Sequence, residues 1–156
     1  YKCYIANDNS NGQIVLSGLN LDIDKFIQTL NEKKIKNIRL PVSAPFHCKL
    51  MDKATSIMRD KINNTSFEKP KNIIISNVTG SETQEIHKIK DLLIKQIESP
   101  VRWRESVIYM IKNGVTNFIE IGPGKVLSGL VKRIDKNVNV NNVNTIKDIQ
   151  DIKLND

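Results

Sequence analysis

Only two histidines occur in the 156 residues, so side chains able to exchange a proton near neutral pH are scarce. His87 sits in a charged stretch beside Lys88 and Lys90 and reads as a solvated surface residue. His47 is placed differently. It follows Leu40-Pro-Val-Ser-Ala-Pro-Phe and immediately precedes a helical pattern, and Pro41 and Pro45 would fix where its ring points. Such a histidine could serve as a general base, although a capping or packing role also fits its position. Cys3 and Cys48 make neither a metal-ligand spacing nor a disulfide framework, and read as ordinary small residues of a reducing compartment. Gly122-Pro-Gly-Lys125 before a helix could offer free N–H groups to a phosphate. It lacks the Gly-x-x-x-x-Gly-Lys-Ser/Thr pattern, so it reads as a structural turn.

The elements that must hold these residues alternate. Tyr1 to Ala6 and Gln13 to Leu19 read as strands joined by the polar turn Asn7 to Gly12. Asp22 is placed to cap a helix reaching about Lys34, with Ile23, Phe26, Ile27 and Leu30 on one face. Asn37 to Val42 reads as a third strand. After Pro45, a helical period runs through Leu50, Met51, Ala54, Ile57, Met58 and Ile62. Ile73 to Val78 is an unbroken apolar run, as expected of a buried parallel strand ending at a functional rim. Ile86, Ile89, Leu93 and Ile97 define a helix that Pro100 stops, and Arg104 to Asn113 another that Gly114 terminates. Asn117 to Ile121 is a strand, and Val126, Leu127, Leu130, Val131 and Ile134 form the apolar face of the next helix. Val138, Val140 and Val143 alternate as in a weak strand, and Ile146, Ile149 and Ile152 fit a short helix.

Composition narrows the function classes. Aromatics make up only 5% of the chain, so aliphatic side chains must supply the core. No apolar run approaches the roughly 18 to 20 residues of a membrane span, and the N-terminus lacks the layout of a secretion signal. Tyr1 in place of a Met points to a cut or processed polypeptide. The net charge of +7 favours acidic partners, but the lysines are scattered and not interleaved with aromatics, which argues against nucleic acid. Abundant Asn, Ile and Lys also fit AT-rich codons, so part of the charge is mutational background.

Four separated segments resemble one family. Leu40-Pro-Val-Ser-Ala-Pro-Phe-His-Cys-Lys-Leu-Met51 is similar to the histidine motif of malonyl-CoA:acyl-carrier-protein transacylases and of the acyltransferase domains of fatty-acid and polyketide synthases. Gln96-Ile-Glu-Ser-Pro-Val-Arg-Trp103 and Phe118-Ile-Glu-Ile-Gly-Pro-Gly-Lys-Val-Leu127 look like later signatures of that family, in the same order. Asn9-Ser-Asn-Gly-Gln13, with Val15 to Gly18, resembles its Asn-Ser-Pro-Gly-Gln turn and following strand. Together they cover roughly residues 1 to 135.

The resemblance implies an α/β fold. Residues 1–41 would be part of a small ferredoxin-like α+β subdomain, 42–135 the C-terminal part of an α/β-hydrolase-like acyltransferase core, and 136–156 a weak terminal strand and short helix. It also implies a ping-pong transfer of malonyl from malonyl-CoA to the pantetheine thiol of acyl carrier protein through a seryl ester, without metal or cofactor. His47 matches the family's base, and the backbone carbonyl at the Gln96 position would orient its ring. Read alone, Gln96 is a polar residue near a helix end. Phe46 resembles the malonyl-selective pattern, filling the volume of an α-substituent. Asn9 would lie near bound coenzyme, and Lys36, Lys132 and Arg133 where the acidic carrier docks. The nucleophile elbow, the oxyanion segment and the malonate-binding arginine of the family have no counterpart in these residues, so an N-terminal half would have to supply them. A non-catalytic carrier-binding fragment and a basic nucleic-acid-binding module are the alternatives. A plastid-like organelle is the expected location, with cytoplasm or mitochondrion as alternatives.

Overall fold

The structure is a computed structural model and describes residues 1–151. β1 (Cys3–Ser10) and β2 (Gln13–Gly18) form an antiparallel hairpin closed by Asn11-Gly12, with Gly12 at φ +77°. Gly12 alone supplies the left-handed residue of this turn. β1 therefore runs four residues past the strand end expected at Ala6. The extension is held from outside, because Val101 N–H donates to Ala6 O at 2.8 Å and Asp8 N–H to Val101 O at 2.9 Å. The register shifts on both sides of Asp8.

α1 (Asn20–Glu32) starts with Leu19 at its N-cap and no side-chain cap. Asp22 is not the cap; it sits in the first turn, where a negative charge still favours the helix dipole. The third strand expected over Asn37 to Val42 does not form. A strand needs a neighbour to receive its backbone hydrogen bonds, and no sheet among the described residues includes this segment. Ile38, Leu40 and Val42 stay exposed, and Arg39 instead bonds Asp24 and Asn20 of α1.

A 3-10 turn at Lys49–Met51 leads into α2 (Asp52–Asn64). The helix packs against α3 (Ile86–Lys95), but its apolar period is only partly covered: Thr55 is buried while Ile57 is 65% exposed. The buried parallel strand expected over Ile73 to Val78 shrinks to β3 (Ile74–Ile75), antiparallel to β4 (Glu82–Thr83). The chain reverses between them. Gly80 N–H donates to Ser76 O, and Ser76 N–H to Ser81 O, so the segment pairs with its own continuation and Ile73 is left exposed.

The rest closes tightly. α4 (Trp103–Lys112) ends at Gly114, whose φ of +88° lets its N–H reach Ile111 O. β5 (Asn117–Ile121) and β6 (Asn139–Val143) pair in parallel, joined by α5 (Val126–Ile134) as a β-α-β unit. Val107 of α4, Val131 of α5 and Val138 before β6 form the core, with Trp103, Met110, Ile111, Phe118, Ile134 and Val140 packed round it. Each fully buried valine contributes about 1.5–3 kcal/mol. Val126 and Leu127, expected on the buried face of α5, are exposed, and Leu130, Val131 and Ile134 carry that face. α6 (Ile146–Asp151) follows; Ile152, placed in the same helix from sequence, lies outside the described residues.

Candidate active site

His47 stands on a loop fastened on three sides. On one, Ser17 of β2 donates its hydroxyl to Phe46 O at 2.6 Å. Within the loop, Cys48 is buried and points its thiol at Pro45 O at 3.2 Å, while Met51 N–H donates to Cys48 O to begin the 3-10 turn. On the third side, His47 Nδ1–H donates to Gln96 O at 2.9 Å. His47 itself has φ +59°, a left-handed conformation that costs most residues but is comparatively frequent for His, Asn and Asp.

The bond to Gln96 fixes the chemistry of the ring. A carbonyl oxygen has no proton to give, so Nδ1 must be the donor and the neutral imidazole keeps its lone pair on Nε2. Gln96 caps the C-terminus of α3, its own N–H bonded to Leu92 O, and its carbonyl belongs to the set that a helix end leaves without an intrahelical partner. The carbonyl thus meets the Nδ1–H edge of the ring from the end of α3. His47 is half-buried and Phe46 exposed.

The other residues singled out from sequence are not joined to this pair by any hydrogen bond among the described residues. Asn9 lies in the irregular end of β1 and not in the turn. Lys36 is exposed just after α1. Lys132 is committed internally: its Nζ donates to Val138 O at 2.6 Å and Lys136 O at 3.2 Å, tying the end of α5 to the approach to β6. Arg133 bonds the side chain of Gln13 beside the hairpin turn.

Two polar clusters escaped the sequence reading. Glu120 of β5 accepts from Leu127 N–H at 3.1 Å, Ser128 N–H at 2.8 Å, Ser128 Oγ–H at 2.6 Å and Asn142 Nδ2–H at 3.0 Å. The Ser128 hydroxyl, first, and then the backbone donors hold its carboxyl below the usual range. The α5 N-terminus is thus occupied by a carboxylate of its own chain, and the Gly122-Pro-Gly turn delivers that carboxylate. The second cluster joins Arg104 Nε and Nη2 to both oxygens of Asp8, at 2.7 to 3.1 Å, fastening α4 to β1. Among the described residues no group of three or more His, Cys, Asp or Glu could hold a metal, and no helix is long and apolar enough to cross a membrane.

No family model matches the chain. It is 42% identical over 133 residues to malonyl CoA-acyl carrier protein transacylase of Bacillus subtilis, an alignment covering 85% of this chain and 42% of that protein. The enzyme of the same name from Staphylococcus aureus is 37% identical over 154 residues, covering 97% and 49%. The crystal structure of malonyl CoA-acyl carrier protein transacylase from Clostridium perfringens superposes with a TM-score of 0.90 at 43% identity, over 96% of this chain and 47% of that one. The mixed α/β fold is therefore that of part of these acyltransferases, and the chain spans about half the length of the curated relatives it matches.

Proposed function

Because the chain belongs to the malonyl CoA-acyl carrier protein transacylase family, we propose that it is the C-terminal half of an enzyme that moves malonyl from malonyl-CoA to the pantetheine thiol of acyl carrier protein, in fatty-acid synthesis. The observation that carries this reading is the Nδ1–H bond from His47 to Gln96 O at 2.9 Å. It leaves Nε2 as the basic atom. Nε2 takes the proton of a serine supplied by the other half of the enzyme as that oxygen attacks the thioester carbonyl, and returns the proton to the departing coenzyme sulfur. In the second half-reaction it takes the proton of the pantetheine thiol as that sulfur attacks the seryl ester, and returns the proton to the serine oxygen as the ester C–O bond breaks. The carbonyl takes the orienting place that a carboxylate holds in a conventional triad.

The test is His47→Ala in the complete enzyme, followed by malonyl transfer to carrier protein. A loss of about a thousandfold or more in kcat is expected, as for removal of a histidine base elsewhere. Unchanged transfer would sink the assignment. Phe46 is the proposed limit on α-substituted acyl groups, and Asn9 a neighbour of bound coenzyme. We assign carrier docking to the basic surface that includes Lys36, Lys132 and Arg133. Lys36→Ala is the clean probe, since Lys132 also holds two backbone carbonyls. It should raise the KM for carrier protein and leave that for malonyl-CoA unchanged, more visibly at low salt. A plastid-like organelle, with cytoplasm or mitochondrion as alternatives, is the proposed location; the relatives named above are bacterial.

A further inference from the structure

The bond between His47 and Gln96 joins stretches of chain 49 residues apart, and one element reaches both of them. On the acceptor side, the chain runs on from Gln96 to Val101, which pairs with β1: its N–H donates to Ala6 O at 2.8 Å, and its O accepts from Asp8 N–H at 2.9 Å. On the donor side, the half-buried Ser17 of β2 donates its hydroxyl to Phe46 O at 2.6 Å. β1 and β2 are one hairpin, with Ser17 opposite Tyr4 and Leu16 opposite Ile5. The hairpin is therefore a common frame for the ring and its acceptor.

Phe46 O belongs to the peptide that joins Phe46 to His47, so its direction sets ψ of the first residue and φ of the second. His47 has φ +59°, a conformation that a residue with a Cβ resists and that its surroundings must hold. Among the described residues Ser17 is the only donor to that oxygen. The other ties within the loop act elsewhere: Phe46 N–H on Ala44 O, the Cys48 thiol on Pro45 O and Met51 N–H on Cys48 O. None of these reaches the peptide between Phe46 and His47. We propose that Ser17 is a positioning residue for His47: its hydroxyl, through the Phe46 carbonyl, holds the left-handed backbone that turns the ring onto Gln96 O. The effect on rate rests on the proposed function of His47. The effect on the ring does not.

The experiment uses Ser17→Ala and Ser17→Thr in the complete enzyme. Ser17→Ala removes the donor and is expected to lower kcat for malonyl transfer about tenfold to a hundredfold, the effect of a small misplacement of a catalytic group, with the KM for malonyl-CoA little changed. Ser17→Thr keeps a hydroxyl on a side chain that suits a strand, and should restore most of the rate. Parent-like transfer by Ser17→Ala, or an equal loss in Ser17→Thr, would overturn the proposal. In a His47→Ala background, Ser17→Ala should cost nothing further, because the group through which it acts is gone; a full additional loss would give Ser17 a merely structural role. The nitrogen resonances of the His47 ring supply a reading independent of turnover. In the parent they should report the Nδ1–H tautomer alone, and in Ser17→Ala a mixture of both. A ring left unaltered by Ser17→Ala would end the positioning claim whatever the rates. If His47→Ala transferred malonyl at the parent rate, the catalytic assignment would fall, and the ring resonances would still decide the role of Ser17.

Discussion

The β5-α5-β6 unit with α4 and the stretch from residue 37 to residue 83 are both rich in isoleucine and valine, yet they end in opposite conditions. In the first, Val107, Val131 and Val138 meet across three elements, Glu120 closes the helix start, and Lys132 closes the helix end. In the second, Ile38, Leu40, Val42, Ile57, Ile73 and Ile74 face outward, and the only strand pairing is two residues long. The difference is one of distance along the chain. A β-α-β unit finds its partners within about 30 residues, whereas a strand such as 37–42 needs a neighbour that none of the described residues offers. Apolar pattern alone states that a face will be covered; it does not say by what.

The sharpest way to break that comparison is Val107→Asp, which places a charge at a position with no exposure. It should cost more than about 4 kcal/mol and unfold the unit, seen as loss of helical circular dichroism. A well-folded variant would mean that the core does not hold this region. Next comes Glu120→Gln, which weakens four accepted bonds at once. Because the folded carboxyl titrates below its unfolded value of 4.5, its contribution is complete above that value and fades as the pH falls through the lowered one. Acid unfolding should therefore be steeper in the parent than in the variant. Asp148, lowered by the backbone N–H groups of Asn144 and Thr145, acts in the same direction near the C-terminus. Gly114→Ala should cost about 1 kcal/mol in a urea titration, since φ +88° is unfavourable for any side chain even where nothing crowds it. The smallest change is Ile57→Asp, which should stay within about 0.5 kcal/mol in the 156-residue chain. A loss of more than about 2 kcal/mol there would show that α2 is covered after all and erase the contrast.

The same distinction explains what could be read in advance. α3, α4, α5 and β5 were legible within a residue or two, because periodicity, Pro100, Gly114 and the Gly-Pro-Gly turn are local signals. His47 was singled out from its prolines and the motif around it, and the structure adds the loop that holds it. Its tie to Gln96 was not visible from residue type, since a backbone carbonyl has no side chain to announce it, and resemblance alone suggested it. Glu120 was missed because it caps from the preceding strand, across a turn, and not from the N-cap position where capping residues are sought. Lys132 looked like free surface charge because its acceptors are main-chain oxygens. The expected strands at 37–42 and 73–78 failed for the opposite reason, a correct apolar signal without a neighbour in reach.

The clasp between β1 and the start of α4 bears on how the chain is made. Asp8 and Arg104 stand 96 residues apart, and Val101 must lie beside β1 before either can engage. At roughly 5–20 residues per second of synthesis, the β1–β2 hairpin waits about 5 to 20 seconds after leaving the ribosome for its docking partner to emerge. Through that interval its exposed isoleucines and bulged edge are open to whatever else is nearby, so a chaperone that shields nascent strands would find a target in this hairpin.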